Sequence, residues 1–234
     1  MKHEVIAHNQ KFLGLDLTFG DLQLSKKARK LYVQEIEKQC KENPIDPSAM
    51  TAWTGDVNKN YEIHNNKVFS ELFKKIPDVL KLHCKTVGVN YNKLNFYVAR
   101  SWGTISGPDQ SIAPHTHSYC NLSMVYYPKV PDDAGILLLQ PTNYEHINEF
   151  IPNLFDINPE SNVLDYNSAN NNKNISIKPA NDMFVIFPAK IPHHAEPGKN
   201  TSPRYSIAID IVATLKQTNS VEHCLPPLTQ WSKV

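Results

Sequence analysis

After Gly88 the hydrophobic period of this chain falls from about 3.6 residues to two, and it keeps returning to two as far as Ala213. The alternation is cleanest from Arg204 to Ala213, where Tyr205, Ile207, Ile209 and Ile211 alternate with Arg204, Ser206, Ala208 and Asp210. Period two sends successive side chains to opposite faces of a strand. One face of this segment is therefore bulky and apolar, and the other is small or polar. Further strands are predicted over 93–103, 121–127, 135–140, 175–178, 182–187 and 193–196. Turn residues such as Pro131-Asp132-Asp133 divide them. The stretch 105–114, with Gly107-Pro108-Asp109 inside it, reads as a loop.

Before Gly88 the spacing is helical. Leu22, Leu24, Ala28, Leu31, Tyr32, Ile36 and Cys40 predict a helix over 25–42, stopped by Asn43-Pro44. Val68, Leu72, Phe73, Ile76, Val79 and Leu80 predict another over 67–86, kinked or split at Pro77. Short strands are expected near Val5–Ala7 and Phe12–Leu17. Helices followed by a run of short strands predict a mainly β fold with flanking α-helices, a sandwich or jelly roll with the helices packed outside. A chain of 234 residues, 41% hydrophobic, fits a single domain. Its expected parts are an N-terminal helical support region over 1–90, a β core over 91–215 and a C-terminal tail over 216–234.

Charge and cysteine usage narrow the function classes. A net charge of +1 shows no basic excess that would point to nucleic acid, which is therefore not an expected partner. No apolar run approaches eighteen residues, and Met1-Lys2-His3-Glu4 leads into no apolar stretch. The expectation is a cytoplasmic protein with neither leader nor membrane span. Cys40, Cys84, Cys120 and Cys224 form no C-x-x-C pair, which argues against a thiolate zinc site and fits a reducing compartment. Trp53, large and apolar among polar residues, is expected in the core, in a lid, or lining a site. The asparagine-rich stretch 162–174 is expected to be a loop closing over a site.

Chemistry concentrates in Ala113-Pro114-His115-Thr116-His117, in Pro192-His193-His194, and in Arg204-Tyr205-Ser206. Residues two apart on an extended segment point the same way, so His115 and His117 can aim two imidazoles at one point. His193, from a distant strand, can supply a third. His194 next to it would point to the other side, so only one of the two serves. Imidazole suits iron, zinc, copper and nickel, and three ligands on one face leave the opposite face open. Arg204 shares its face with Ser206 and Ala208, the composition of a small anion pocket. Guanidinium holds a carboxylate through two parallel hydrogen bonds.

These residues resemble the iron(II)/2-oxoglutarate-dependent oxygenase superfamily. The resemblance rests on His115-x-His117, Leu122-Ser123-Met124-Val125-Tyr126-Tyr127, Phe187-Pro188, Pro192-His193 and Arg204-x-Ser206. It is closest to a branch, phage-encoded members included, that bears an H-x-H, an S-G-V-Y-Y-like strand and an F-P-x-x-x-x-H motif, and it covers roughly 50–213. It implies a double-stranded β-helix (jelly roll, cupin-like) with Fe(II) at its open end and 2-oxoglutarate as cosubstrate. His115 and His193 match the two histidine ligands, and His117 stands where most of the superfamily carries Asp or Glu. Arg204 and Ser206 match the residues that bind the distal carboxylate of 2-oxoglutarate, and Tyr127 would add a hydrogen bond to the cosubstrate. Met124 replaces the glycine of the branch and is expected to pack in the core. The implied reaction hydroxylates a small molecule or a protein side chain and releases succinate and CO2. Two other readings stay open on sequence alone. One is a three-histidine dioxygenase that uses Arg204 to hold its substrate and does not use 2-oxoglutarate. The other is a non-catalytic jelly-roll binding or structural module.

Overall fold

Two helices form where the 3.6-residue spacing places them. The computed structural model describes residues 6–12, 15–42, 62–141, 174–199, 201–218 and 224–233, so Trp53 and the stretch 162–173 lie outside the described residues. Helix α1 is Lys26–Glu42, and it opens with the Ser25 hydroxyl accepting from the Ala28 amide at 3.1 Å. Helix α2 is Ser70–Thr86, preceded by two short 3-10 turns at Ile63–Asn65 and Lys67–Phe69. Pro77 does not split α2, although its missing N–H removes one hydrogen bond from the ladder. Tyr32, Ile36, Leu72, Ile76 and Val79 face inward, and the Leu72 amide donates to the Tyr32 hydroxyl at 3.0 Å, joining the two helices.

The strands wind between two sheets. In chain order they are β1 Ile6–Phe12, β2 Leu15–Asp21, β3 Leu94–Ser106, β4 Ile112–His115, β5 Leu122–Lys129, β6 Leu137–Leu139, β7 Ile175–Ile177, β8 Met183–Pro188, β9 His193–Ala195 and β10 Arg204–Leu215. The large sheet has the order β1-β2-β8-β5-β10-β3 and the small one β4-β9-β6-β7, every pairing antiparallel. From β3 to β10 the chain crosses from one sheet to the other and back, which is a double-stranded β-helix.

Two expectations need correction. The stretch read as a loop over 105–114 contains the end of β3 and most of β4. Strand β4 has only four residues, includes Pro114 and pairs along one edge alone, so it carries no alternation long enough to detect. The short strands expected near Val5–Ala7 and Phe12–Leu17 run instead over Ile6–Phe12 and Leu15–Asp21, as β1 and β2, and extend the large sheet beyond β8.

The layers follow from the parity of the strands. Met124, Tyr126, Phe184, Ile186, Tyr205, Ile207, Ile209 and Ile211 pack against the two helices. Met124 is fully buried there, as the packing reading expected. Residues of opposite parity, among them Tyr127, Val185 and Phe187, face the small sheet and meet Leu137, Leu139, Ile175 and Ile177. Helices, large sheet and small sheet thus form three layers around two cores. No described helix is long and apolar enough to cross a membrane, and the four cysteines are all free.

Gly135 is fixed by contact rather than by conformation. A Cβ there would lie 1.7 Å from the Glu196 carbonyl oxygen, and that obstacle is backbone, which cannot rotate away. Gly135→Ala is expected to cost about 3 kcal/mol of stability, the upper range for overpacking a core. Thermal denaturation of the variant beside the unchanged chain measures it.

Candidate metal centre

The register of one strand pair brings two distant histidines together. His115, the last residue of β4, lies directly opposite His193, the first of β9. Paired residues share a face, and the ring centroids are 4.3 Å apart. His117 lies two residues beyond β4, where its amide donates to the Ala189 carbonyl at 2.9 Å and so ties this turn to the one that follows β8. Its ring is 5.1 Å from both of the others. One ring nitrogen of each histidine lies within 4.8 Å of the other two. His194 is not in this cluster.

Each Nδ1 is held by an acceptor. His115 Nδ1 meets the Ala113 carbonyl at 2.8 Å, His193 Nδ1 the Ile191 carbonyl at 2.8 Å, and His117 Nδ1 the Asp210 carboxylate at 2.6 Å. A carbonyl or ionised carboxylate oxygen can only accept, so each Nδ1 carries a proton, and in a neutral ring that leaves the lone pair on Nε2. That is the second-sphere arrangement by which proteins orient metal-binding histidines. His117 Nε2 is buried without a hydrogen-bond partner. Burial, reinforced by the nearby His115 ring, pushes His193 down to about 3, so its ring stays neutral at physiological pH. An orphaned lone pair, a neutral buried ring and three converging nitrogens fit a divalent transition metal.

Sequence reasoning missed Asp210. It is fully buried on β10 and accepts from Tyr119 Oη at 2.8 Å as well as from His117. The signal was available, since Asp210 continues the parity of Arg204, Ser206 and Ala208 on one face. Cys120 also lies near Asp210, and burial foremost pushes its thiol up to about 12, which disfavours the thiolate a metal would need.

Arg204 closes the other end of the site. Its Nη1 donates to the Gly135 carbonyl at 2.7 Å and its Nη2 to the Ser106 hydroxyl at 3.2 Å. Its Nε is buried and unpartnered, and no carboxylate among the described residues pairs with it. Burial lowers its affinity for the proton, with the neighbouring Tyr127 acting the other way. Burial also pushes the Tyr127 hydroxyl up to about 12, against the pull of Arg204, so it stays a protonated donor. Arg204, Ser206 and Tyr127 line the same cavity of about 60 Å³ as His115, His117 and His193. The six residues singled out from the sequence therefore meet in one place. A larger cavity of about 500 Å³ opens on the other face of β3, against α2, with a largely apolar lining.

Fold and site together define a jelly-roll protein with a three-histidine candidate metal centre and a buried arginine beside it. Residues 100–210 match the family model described as "Putative 2OG-Fe(II) oxygenase". Solved structures of similar fold include the non-heme alpha ketoglutarate dependent carbocyclase SnoK from nogalamycin biosynthesis. It shares 12% identity over 90% of this chain and 87% of that one, with a TM-score of 0.54. AviO1 from Streptomyces viridochromogenes Tue57 shares 10% identity over 90% and 91%, at 0.53. A prolyl hydroxylase from Trichoplax adhaerens, in complex with a hypoxia inducible factor peptide fragment, shares 14% identity over 84% and 83%, at 0.50. At these identities the likeness establishes the fold. No curated protein sequence matches the chain.

Proposed function

We propose that this protein is an iron(II)/2-oxoglutarate-dependent dioxygenase that hydroxylates a small molecule or a protein side chain. His115, His117 and His193 would hold the iron. Arg204, with Ser206 and Tyr127, would hold the distal carboxylate of 2-oxoglutarate. The observation that carries this reading is Arg204. A guanidinium that is 3% exposed, with no acidic partner among the described residues and a spare Nε, is costly to bury. A ligand carboxylate facing it removes that cost, and this cavity also contains the three histidines.

Iron(II) and 2-oxoglutarate, when bound, supply the oxidative decarboxylation that drives hydroxylation and releases succinate and CO2. The chain's own residues do the rest. Arg204 neutralises the cosubstrate's distal charge and sets its orientation along the cavity. Tyr127 donates to an oxygen from the β5 side. Trp102 and Phe187, 3% and 1% exposed, keep bulk water from the histidines. His115 is the partly exposed member of the three and marks the side from which a substrate approaches.

The test needs no substrate. Purified protein with iron(II), ascorbate and 2-oxoglutarate is expected to form succinate slowly, and His115→Ala is expected to form none above the protein-free background. Equal succinate from both proteins would sink the reading.

A further inference from the structure

The carboxylate that most of the superfamily uses as a direct ligand has not been lost from this centre, because Asp210 stands directly behind the histidine that replaces it. We propose that Asp210 is a positioning residue that acts through His117: it holds the Nδ1 proton, aims Nε2 into the site and lends its negative charge to that ring. This rests on the reading that the three histidines take a divalent metal.

Three observations carry it. First, Asp210 is fully buried, a place where a carboxylate persists only if its oxygens are hydrogen-bonded. Both are: Oδ1 accepts from His117 Nδ1 at 2.6 Å and Oδ2 from Tyr119 at 2.8 Å. Direct ligation by Asp210 would break these bonds, whereas action through His117 keeps them. Second, Asp210 continues along β10 the parity of Arg204, Ser206 and Ala208, which line the same cavity as the three histidines. Third, His117 is clamped on its face as well as its edge, with Trp102 stacked on it at 5.9 Å and 16°. The Arg100 guanidinium lies over both Trp102 and Tyr119, at 5.2 and 5.0 Å, bracing the group from outside. One edge of His117 is thus committed to Asp210 and the opposite nitrogen is the orphaned Nε2. Three neutral imidazoles would leave a divalent ion with its full +2 charge. Asp210 returns one negative charge to the centre at one remove, as carboxylate–histidine–metal triads do.

The test has two arms. In the metal-free wild-type protein, ¹⁵N–¹H spectra of the histidine rings are expected to show His117 protonated on Nδ1; protonation on Nε2 overturns the proposal. The second arm is titration with cobalt(II). The wild type is expected to bind one ion, and Asp210→Asn to bind it about 10- to 100-fold more weakly. Adding His117→Asp to Asp210→Asn moves the carboxylate into direct contact and is expected to restore affinity to within a few-fold of wild type. A purely structural Asp210 predicts no such rescue. Asp210→Asn binding as tightly as wild type, or a double variant weaker than the single, overturns the proposal. If the wild type itself binds no cobalt(II), the metal-site reading is what fails. Should Asp210→Asn not fold, the tautomer of the wild-type ring still decides the matter.

Discussion

Replacing Arg204 by methionine is expected to raise the KM for 2-oxoglutarate by at least about 100-fold and to leave cobalt(II) affinity within a few-fold of wild type. The magnitude follows from burial. Removing one partner of a buried, hydrogen-bonded charge pair costs about 3–5 kcal/mol, and each 1.4 kcal/mol is tenfold in affinity. Arg204 is 3% exposed, so solvent screens little of that interaction. The separation of the two effects follows from position. Arg204 sits on β10 and is held by Gly135 and Ser106, while the histidines are held by Ala113, Ile191 and Asp210. Methionine keeps the length and apolar bulk of the arginine stem, so the β core keeps its packing. Steady-state succinate formation and metal titration read the two numbers separately. An unchanged KM for 2-oxoglutarate would move the argument toward a dioxygenase that uses Arg204 to hold its own substrate.

His193→Ala is expected to abolish metal binding at micromolar concentrations and to lower succinate formation by at least about 10³-fold. His193 is the member of the cluster contributed by β9, 4.3 Å from the His115 ring and 5.1 Å from that of His117. Losing it leaves two candidate ligands two residues apart and no third from the facing strand. Its ring is neutral and buried against Phe187, at 4.8 Å edge to face, so truncation removes contacts without stranding a charge. The metal-free variant is therefore expected to unfold cooperatively, a little below wild type, as followed by circular dichroism. Wild-type metal stoichiometry in His193→Ala would place the metal elsewhere.

The legible part of this protein is the part that depends on neighbours in sequence. Both helices, most strand cores and the opposition of Arg204, Ser206 and Ala208 to Tyr205, Ile207 and Ile209 all follow from periodicity. Parity alone also separates Tyr127, which faces the site, from Met124, which faces the helices. The illegible part was short or long-range. Strand β4 is too brief to show a period. The two short strands expected near the N-terminus gave no sign of their place in the large sheet, which is set by the pairing of β2 with β8.

Asp210 shows the division most clearly. Its side of β10 could be counted from Arg204, two residues at a time, because a strand's pleat is a local property of the backbone. Its contact with His117, 93 residues away, could not, because which strands become neighbours and in what register is settled by the winding of two sheets around a common core. The sequence alone therefore determined a mainly β fold, its helices, and a face carrying an arginine, a serine and an acid. Only the tertiary structure set His115 opposite His193, turned the Nδ1 of each of the three clustered histidines toward an acceptor, and put a buried carboxylate behind His117.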